Sequence, residues 1–401
     1  MTHYRSQAAA LPEASISAEL LSGKSVHARL KTAASAVTGF IRKNTVFCIA
    51  VIAAVVTSFF VKPDAKYAEY IDYKTITCLF CVLAVVCALQ NIDFFVICAR
   101  KIVERFKTAR KCVIALVYIT FIGSMFIAND MALLTFLPLG YYVLHTSGHE
   151  EYMAFTFIMQ NIAANLGGML TPFGNPQNLY LYSRFNIPNG EFMLTMLPVF
   201  LFSVALITLC CFAVRNEPVK LDEVKSTPLN PRRTALYLVL FALSIAIVFR
   251  QIPYVIGLIV IPAVLVFADR KALRQVDYGL LFTFVAFFIF AGNMSRIEPV
   301  RELLGGLLEK NTLLVSTMSC QVISNVPSAI LLSQFVGDYR ELLIGVNIGG
   351  VGTLISSLAS LITFREYASR NPGKTLRYIG LYSLINFSFL AVLLIFCTII
   401  L

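Results

Sequence analysis

Apolar windows fill this chain almost from end to end, and only short polar loops separate them. They run approximately over residues 45–61, 75–98, 112–128, 131–144, 152–183, 192–214, 234–249, 252–268, 278–295, 312–324, 326–336, 342–363 and 378–401. A helix needs about 20 apolar residues to cross a bilayer. The chain is 58% hydrophobic and 14% charged, with a mean hydropathy of +0.77. That exceeds what a soluble core of 401 residues requires, so the chain reads as an all-α polytopic membrane protein. The windows 312–324 and 326–336 are too short to span, rising only about 20 and 16 Å at 1.5 Å per residue. They are expected to form a re-entrant hairpin, 312–336. The pair at 112–144 reads the same way, with slightly longer arms.

Nine spans and two hairpins, with the N-terminus in the cytoplasm, place 24 of the 33 Lys and Arg residues inside. Lys62, Lys66, Lys74, Arg184, Arg250, Arg296, Arg301, Lys310 and Arg340 remain outside. This is the asymmetry that positive-inside topology demands. Were 112–144 a single crossing, parity would flip and the basic loop 215–233 would face out. The net charge of +11 is therefore mostly a topology signal, and no nucleic-acid partner is needed to explain it. The expected location is the cell (inner or plasma) membrane, multi-pass, with the lipid bilayer as partner. Residues 1–43 form a cytoplasmic tail, read either as an amphipathic helix over 17–42 or as a disordered segment. A cleaved signal peptide fits that polar stretch poorly.

Enzyme chemistry finds little material. All ten cysteines lie in or beside apolar segments, where Cys behaves as a small hydrophobe. Cys78-x-x-Cys81 matches a redox or metal spacing, but no His or second pair accompanies it. His3, His27, His145 and His149 fall outside the apolar cores. The chain is expected not to be an enzyme and to hold no cofactor, and no nucleotide-binding motif suggests a pump.

Internal repetition organises the rest. "IDYKTITCLFCVLAVV" (71–86) echoes "VDYGLLFTFVAFFIF" (276–290), and "IANDMALL" (127–134) echoes "ISNVPSAIL" (323–331). "NLGGMLTPFGNPQNL" (165–179) matches "NIGGVGTLISSLASL" (347–361) without a gap. In that register Asn165 meets Asn347, Gly168 meets Gly350, Thr171 meets Thr353, Gly174 meets Ser356 and Asn178 meets Ser360. The expected units are a first repeat, 44–233, and a second, inverted repeat, 234–401. Each carries a hairpin and a broken helix, over 152–183 and 342–363.

Gly, Pro, Asn and Gln crowded at membrane depth need a reason, because unpaired backbone is tolerated there only around a cavity or inside protein. Gly167, Gly168, Gly349 and Gly350 permit unwound turns, and Pro172 and Pro176 keep the first helix from re-forming. Inverted repeats with broken helices mark a secondary transporter, whose site lies between the repeats. Helix packing by small residues is the competing explanation for the glycines.

These tips and breaks, "ANDMALL" and "ISNVPS" followed by "ANLGGMLTPFGNPQN" and "VNIGGVGTLISS", resemble the ion transporter superfamily. It contains citrate and divalent-anion symporters, arsenite permeases and a class of sodium/proton antiporters. The resemblance covers approximately residues 71 to 401. It implies an elevator-type homodimer, with hairpins and broken helices moving against a scaffold. By motif position it puts Asn129, Asn165, Thr171 and Asn175 in one cluster and Asn325, Asn347, Thr353 and Ser356 in another. Expected substrate ligands are Asn129, Thr171, Asn175, Asn178, Asn325, Thr353, Ser356 and Ser360. Expected ion-coupling residues are Asp130, Asn165, Gly168, Asn347 and Gly350, with Na⁺ placed among Asn129, Asp130, Asn165, Asn325 and Asn347. The first tip reads Ala-Asn-Asp where sodium–dicarboxylate symporters have Ser-Asn-Thr. The first repeat also has one span fewer than the second.

Asp130 stands out among the candidates, since a carboxylate at a hairpin tip either binds a cation, carries a proton or caps the second arm. Asp93, near an inner end, reads as a snorkelling or capping residue. Arg250 and Arg296, at outer span ends, make poor anion clamps. The leading expectation is a secondary transporter of a small anion, an organic di- or tricarboxylate or an inorganic oxyanion, coupled to Na⁺ or H⁺. A cation/proton antiporter or an arsenite-type efflux permease on the same fold is the alternative, and a channel the third reading.

Overall fold

A computed structural model describes residues 45–219 and 229–401. The segment proposed as a cytoplasmic tail lies outside the described residues. The described residues form helices α1 (Thr45–Phe60), α2 (Tyr67–Tyr70), α3 (Tyr73–Asn91), α4 (Phe94–Val103), α5 (Ala109–Ile127), α6 (Asn129–Thr146), α7 (Met153–Gly167), α8 (Pro176–Arg184) and α9 (Asn189–Cys211). The second half adds α10 (Pro231–Val248), α11 (Tyr254–Ala268), α12 (Arg270–Gln275), α13 (Tyr278–Arg296), α14 (Glu298–Ile323), α15 (Asn325–Leu332), α16 (Arg340–Ile348), α17 (Leu358–Arg370) and α18 (Thr375–Ile400). Six of these are long and apolar enough to cross a membrane: α3, α5, α9, α10, α13 and α18. The chain folds as a polytopic helical membrane protein.

The two Asp-Tyr echoes turn out to be helix starts. Asp72 accepts the Thr75 N–H at 3.0 Å and Asp277 the Leu280 N–H at 2.9 Å, each satisfying a free donor of the first turn. The window 75–98 is not one helix. Asp93 sits in left-handed backbone (φ 54°) between α3 and α4 and makes no side-chain cap bond, so its part is to turn the chain rather than to cap it. Asn311 (φ −165°, ψ 90°) likewise splits α14 into two helices end to end, and its side chain caps the second by accepting the Leu314 N–H at 2.7 Å.

The hairpins differ in size. Beyond Asn311 the arms of the second hairpin are a rising stretch of 12 residues, 312–323, and the 8 residues of α15, about 18 and 12 Å. The arms of the first, α5 and α6, have 19 and 18 residues, about 28 Å each. α5 is long and apolar enough to cross a bilayer. The re-entrant reading of 112–144 therefore rests on charge parity and not on short arms.

The two halves are interleaved. α13 packs along α1, and α3 packs along α10 and α11. α8, beyond the first break, packs on α15 of the second hairpin, while α17 packs on α6 and α7 of the first. Burial follows this exchange. α7 and α16 are enclosed along nearly their whole length, with Ile162, Ala163, Leu342 and Leu343 at 0% exposure. The outer helices α1, α11 and α18 instead present Phe59, Phe267 and Leu376 at 80–87% exposure, which only an apolar surrounding makes favourable.

Polar ties close the ends of this bundle. Arg296 holds Asp64 through two parallel bonds of 3.1 and 2.8 Å and donates to Tyr70 at 3.0 Å, clamping the loop after α1 to the end of α13. The hydrogen-bonded guanidinium keeps the Asp64 carboxyl below its ordinary pKa. A depressed carboxylate stabilises above its unfolded pKa and loses that contribution as pH falls through the folded one. The melting temperature of Asp64→Asn should therefore fall below that of the wild-type protein at neutral pH, and the gap should close below about pH 4. Thermal melts of both proteins across pH measure it.

Candidate functional site

Both broken helices are interrupted at their glycine pairs. α7 ends at Gly167, a short 3₁₀ turn covers Gly168–Leu170, and α8 starts at Pro176. α16 ends at Ile348 and α17 starts at Leu358. Each gap leaves carbonyls and N–H groups that no helix satisfies, and side chains take them up.

In the first break Asn178 Nδ2 donates to the carbonyls of Gly168 and Met169 at 3.2 and 3.4 Å. Asn175 Nδ2 donates to the Asn165 carbonyl at 3.2 Å. In the second, Ser356 Oγ donates to the Gly350 carbonyl at 2.9 Å. Gln321, reaching over from the second hairpin, donates to the carbonyls of Gly349 and Val351 at 2.8 and 3.3 Å and accepts the Thr353 N–H at 2.9 Å. The hairpins are tied to the breaks in matching fashion: Thr171 Oγ1 donates to the Met125 carbonyl at 2.7 Å, and Thr353 Oγ1 to the Gln321 carbonyl at 3.0 Å. Met125 and Gln321 each lie four residues before the tip asparagine.

The tips also match. Ala128 (φ 62°, ψ 150°) and Ser324 (φ 76°, ψ 159°) adopt backbone that is essentially glycine-only. The following Asn129 and Asn325 side chains each accept the next N–H at 2.9 Å. Asn129 Nδ2 reaches Asn165 Oδ1 at 3.2 Å. A Cβ placed on Gly350 would lie 3.1 Å from Asn325 Nδ2 and 3.3 Å from that same Asn165 Oδ1. The two tips thus converge on Asn165 and Gly350, and any side chain at 350 would push them apart.

Across the halves, Asn347 accepts from Asn175 Nδ2 at 3.2 Å and donates to Asn178 Oδ1 at 2.6 Å. Asn129, Asn165, Asn175, Asn178 and Asn347 form one buried belt of amides, each at most 3% exposed. Gly168 faces the Asn175 side chain so closely that no Cβ fits. Ser360 lies apart from the tips, bonding Ser357 Oγ at 2.9 Å and Asn161 at 3.5 Å beside Tyr382. Thr171 and Thr353 spend their hydroxyls on hairpin carbonyls rather than facing open space.

Asp130 is half-buried in the first turn of α6, past the cap position, so it does not cap the arm through its side chain. Its Oδ1 is enclosed with no protein donor, and so is Asn175 Oδ1. Among the described residues no Lys or Arg bonds to any of these groups. Arg250 instead lies 4.0 Å over the Tyr182 ring. Sequence reasoning passed over Gln321 and Asn161; the available signals were a single amide in the first arm of the second hairpin and the Gln160-Asn161 pair inside apolar α7.

The two sides differ in access. Residues 171–180 are all buried, whereas Thr353 and Leu354 are partly open and Ile355 is exposed.

A family model described as citrate transporter matches residues 34–338. The chain belongs to the citrate transporter family. An uncharacterized transporter of Methanocaldococcus jannaschii is 30% identical over 297 residues, 74% of this chain and 81% of that protein. The inner membrane protein YbiR of Escherichia coli is 30% identical over 330 residues, 80% and 87% of the two chains. An uncharacterized transporter of Mycobacterium tuberculosis is 26% identical over 299 residues, 67% and 69%. With its apolar helices, this makes the chain a membrane transporter.

Two substitutions probe the frame. Ala128→Gly should relieve roughly 1–3 kcal/mol of backbone strain, offset in part by about 0.5–1 kcal/mol of added chain entropy, so the melting temperature should rise. Asn175→Ala removes donors from the Asn165 carbonyl and Asn347, and should lower stability by about 1–3 kcal/mol. Thermal melting in detergent reads both.

Proposed function

We propose that this protein is a secondary active transporter that moves a small anion, an organic di- or tricarboxylate or an inorganic oxyanion, coupled to Na⁺ or H⁺. The observation that carries the reading is the meeting of both tips, Asn129 and Asn325, at Asn165 and Gly350, flanked by two helix breaks. Half-helix N-termini and side-chain amides bind oxyanions without Lys or Arg. Enclosed acceptor oxygens such as Asp130 Oδ1 and Asn175 Oδ1 suit a cation or a proton. Membership of the citrate transporter family favours a carboxylate substrate.

The matched tips, breaks and hydroxyl ties support two inverted repeats, and the interleaved packing supports a mobile core of hairpins and broken helices within a scaffold. We take α1, α3, α10, α11 and α13 as scaffold, the assembly as a homodimer, and the N-terminus as cytoplasmic in the cell membrane. The second break, open at 353–355 while the first is closed, fits access from one side at a time. Cation/proton antiport is the second reading, favoured by Asp130 and by the absence of a bonded basic residue at these groups.

Flux in proteoliposomes, with Na⁺ and pH gradients imposed separately over a panel of carboxylates and oxyanions, tests this. Gradient-driven uptake of an anion is expected; equal flux without either gradient would overturn secondary transport. Asp130→Asn should abolish gradient-driven uptake while the folded protein remains in the membrane. Normal uptake by that variant would reduce Asp130 to a structural residue.

A further inference from the structure

At the base of the first hairpin, away from the tips and breaks, His149, Glu151 and Glu217 bring one ligand atom each to within 4.8 Å of one another. We propose that this is a binding site for a divalent cation of the zinc class. His149 precedes α7, and Glu217 lies in the extended segment after α9. That segment is fixed by backbone bonds from Ala109 N–H to the Glu217 carbonyl at 2.8 Å and from Val219 N–H to the Lys107 carbonyl at 2.9 Å. The chain entering the hairpin, the chain leaving it and the chain leaving α9 all meet here.

The histidine geometry points to a ligand. His149 Nδ1 lies 2.8 Å from the Ser147 carbonyl oxygen, an acceptor only, so Nδ1 carries the proton. In the neutral ring the Nε2 lone pair then faces Glu217 Oε2 at 3.6 Å, lone pair against carboxylate. That distance is long for a hydrogen bond. It is close to the roughly 3.4 Å that separates two ligands on a tetrahedral zinc at ordinary bond lengths. A ring held through its other nitrogen by a backbone carbonyl is how metal-binding histidines are oriented. Protonating His149 would balance one carboxylate and leave Glu151 unmatched. Arg215 approaches Glu217 only at Oε1, 4.0 Å away, and Glu150 is taken by His145. Three protein ligands leave a fourth position for water, an exchangeable site.

The test uses the full chain in detergent with Cys98→Ser as background, since Cys98 is the exposed thiol. Zn²⁺ binding is measured by competition with a chromophoric chelator. One equivalent per chain is expected, weakened at least tenfold by His149→Ala and by Glu217→Gln, and unchanged by His145→Ala. Zn²⁺ should shield His149, but not His145, from carbethoxylation read by mass spectrometry, a measurement that needs no variant. No saturable binding, equal affinity in His149→Ala, or equal labelling of both histidines with and without Zn²⁺ would overturn the site and leave His149 and Glu217 as an ion pair.

Discussion

Lipid offers no hydrogen bonds, so every carbonyl and N–H freed by a helix break must be met by the protein itself. Much of this fold answers that demand. The first break is met by Asn175 and Asn178, the second by Gln321 and Ser356, and Asn347 joins the two. An asparagine amide suits the task because it donates and accepts from one short side chain. Hence α7, α8, α15 and α16, gathered around the belt, are enclosed along most of their length, and the helices with exposed apolar faces lie outside them.

The same demand is met differently in the two halves. Prolines hold the first break open from within its own chain, and residues 171–180 are sealed. The second break has no proline; Gly352 adopts φ +138° beneath the Gln321 side chain, which fastens the segment from the hairpin side. A break held by its own covalent geometry is rigid. One held by a side chain from a neighbouring hairpin depends on where that hairpin stands. The two breaks are thus held by different means.

Much of this was legible in the residues. The apolar windows correspond to helices because no alternative satisfies backbone in lipid, and the glycine pairs fall at helix ends because Gly and Pro punctuate helices strongly. What hydropathy does not encode is a change of direction within an apolar run. Asp93 divides a stretch that composition alone joins, through a left-handed backbone angle. The first hairpin is longer than its apolar windows because polar residues extend both arms, Arg110 and Lys111 at the start of α5 and Asn129, Asp130, His145 and Thr146 at the ends of α6. Of the site, the tip and break residues stood out as polar groups in apolar surroundings. Gln321 had the same signal but no counterpart in the first half, where Met125 stands four residues before the tip asparagine.

Asp130 occupies a place in this frame where charge has consequences. It follows Asn129, whose amide rests on Asn165 Oδ1, and that oxygen also faces Gly350 and through it the second tip. The N-terminus of α6 contributes partial positive charge there, enough to favour a carboxylate but not to cancel it. On the proposed reading, an anion approaching the tips would meet that residual negative charge unless a cation or proton had neutralised it first. Ion and substrate would then act on the same few atoms, and each would raise the affinity of the other by an equal factor, since coupling free energy is reciprocal. Symport in such a site needs no signal carried over distance. It needs only that one carboxylate stand beside the belt that holds both tips.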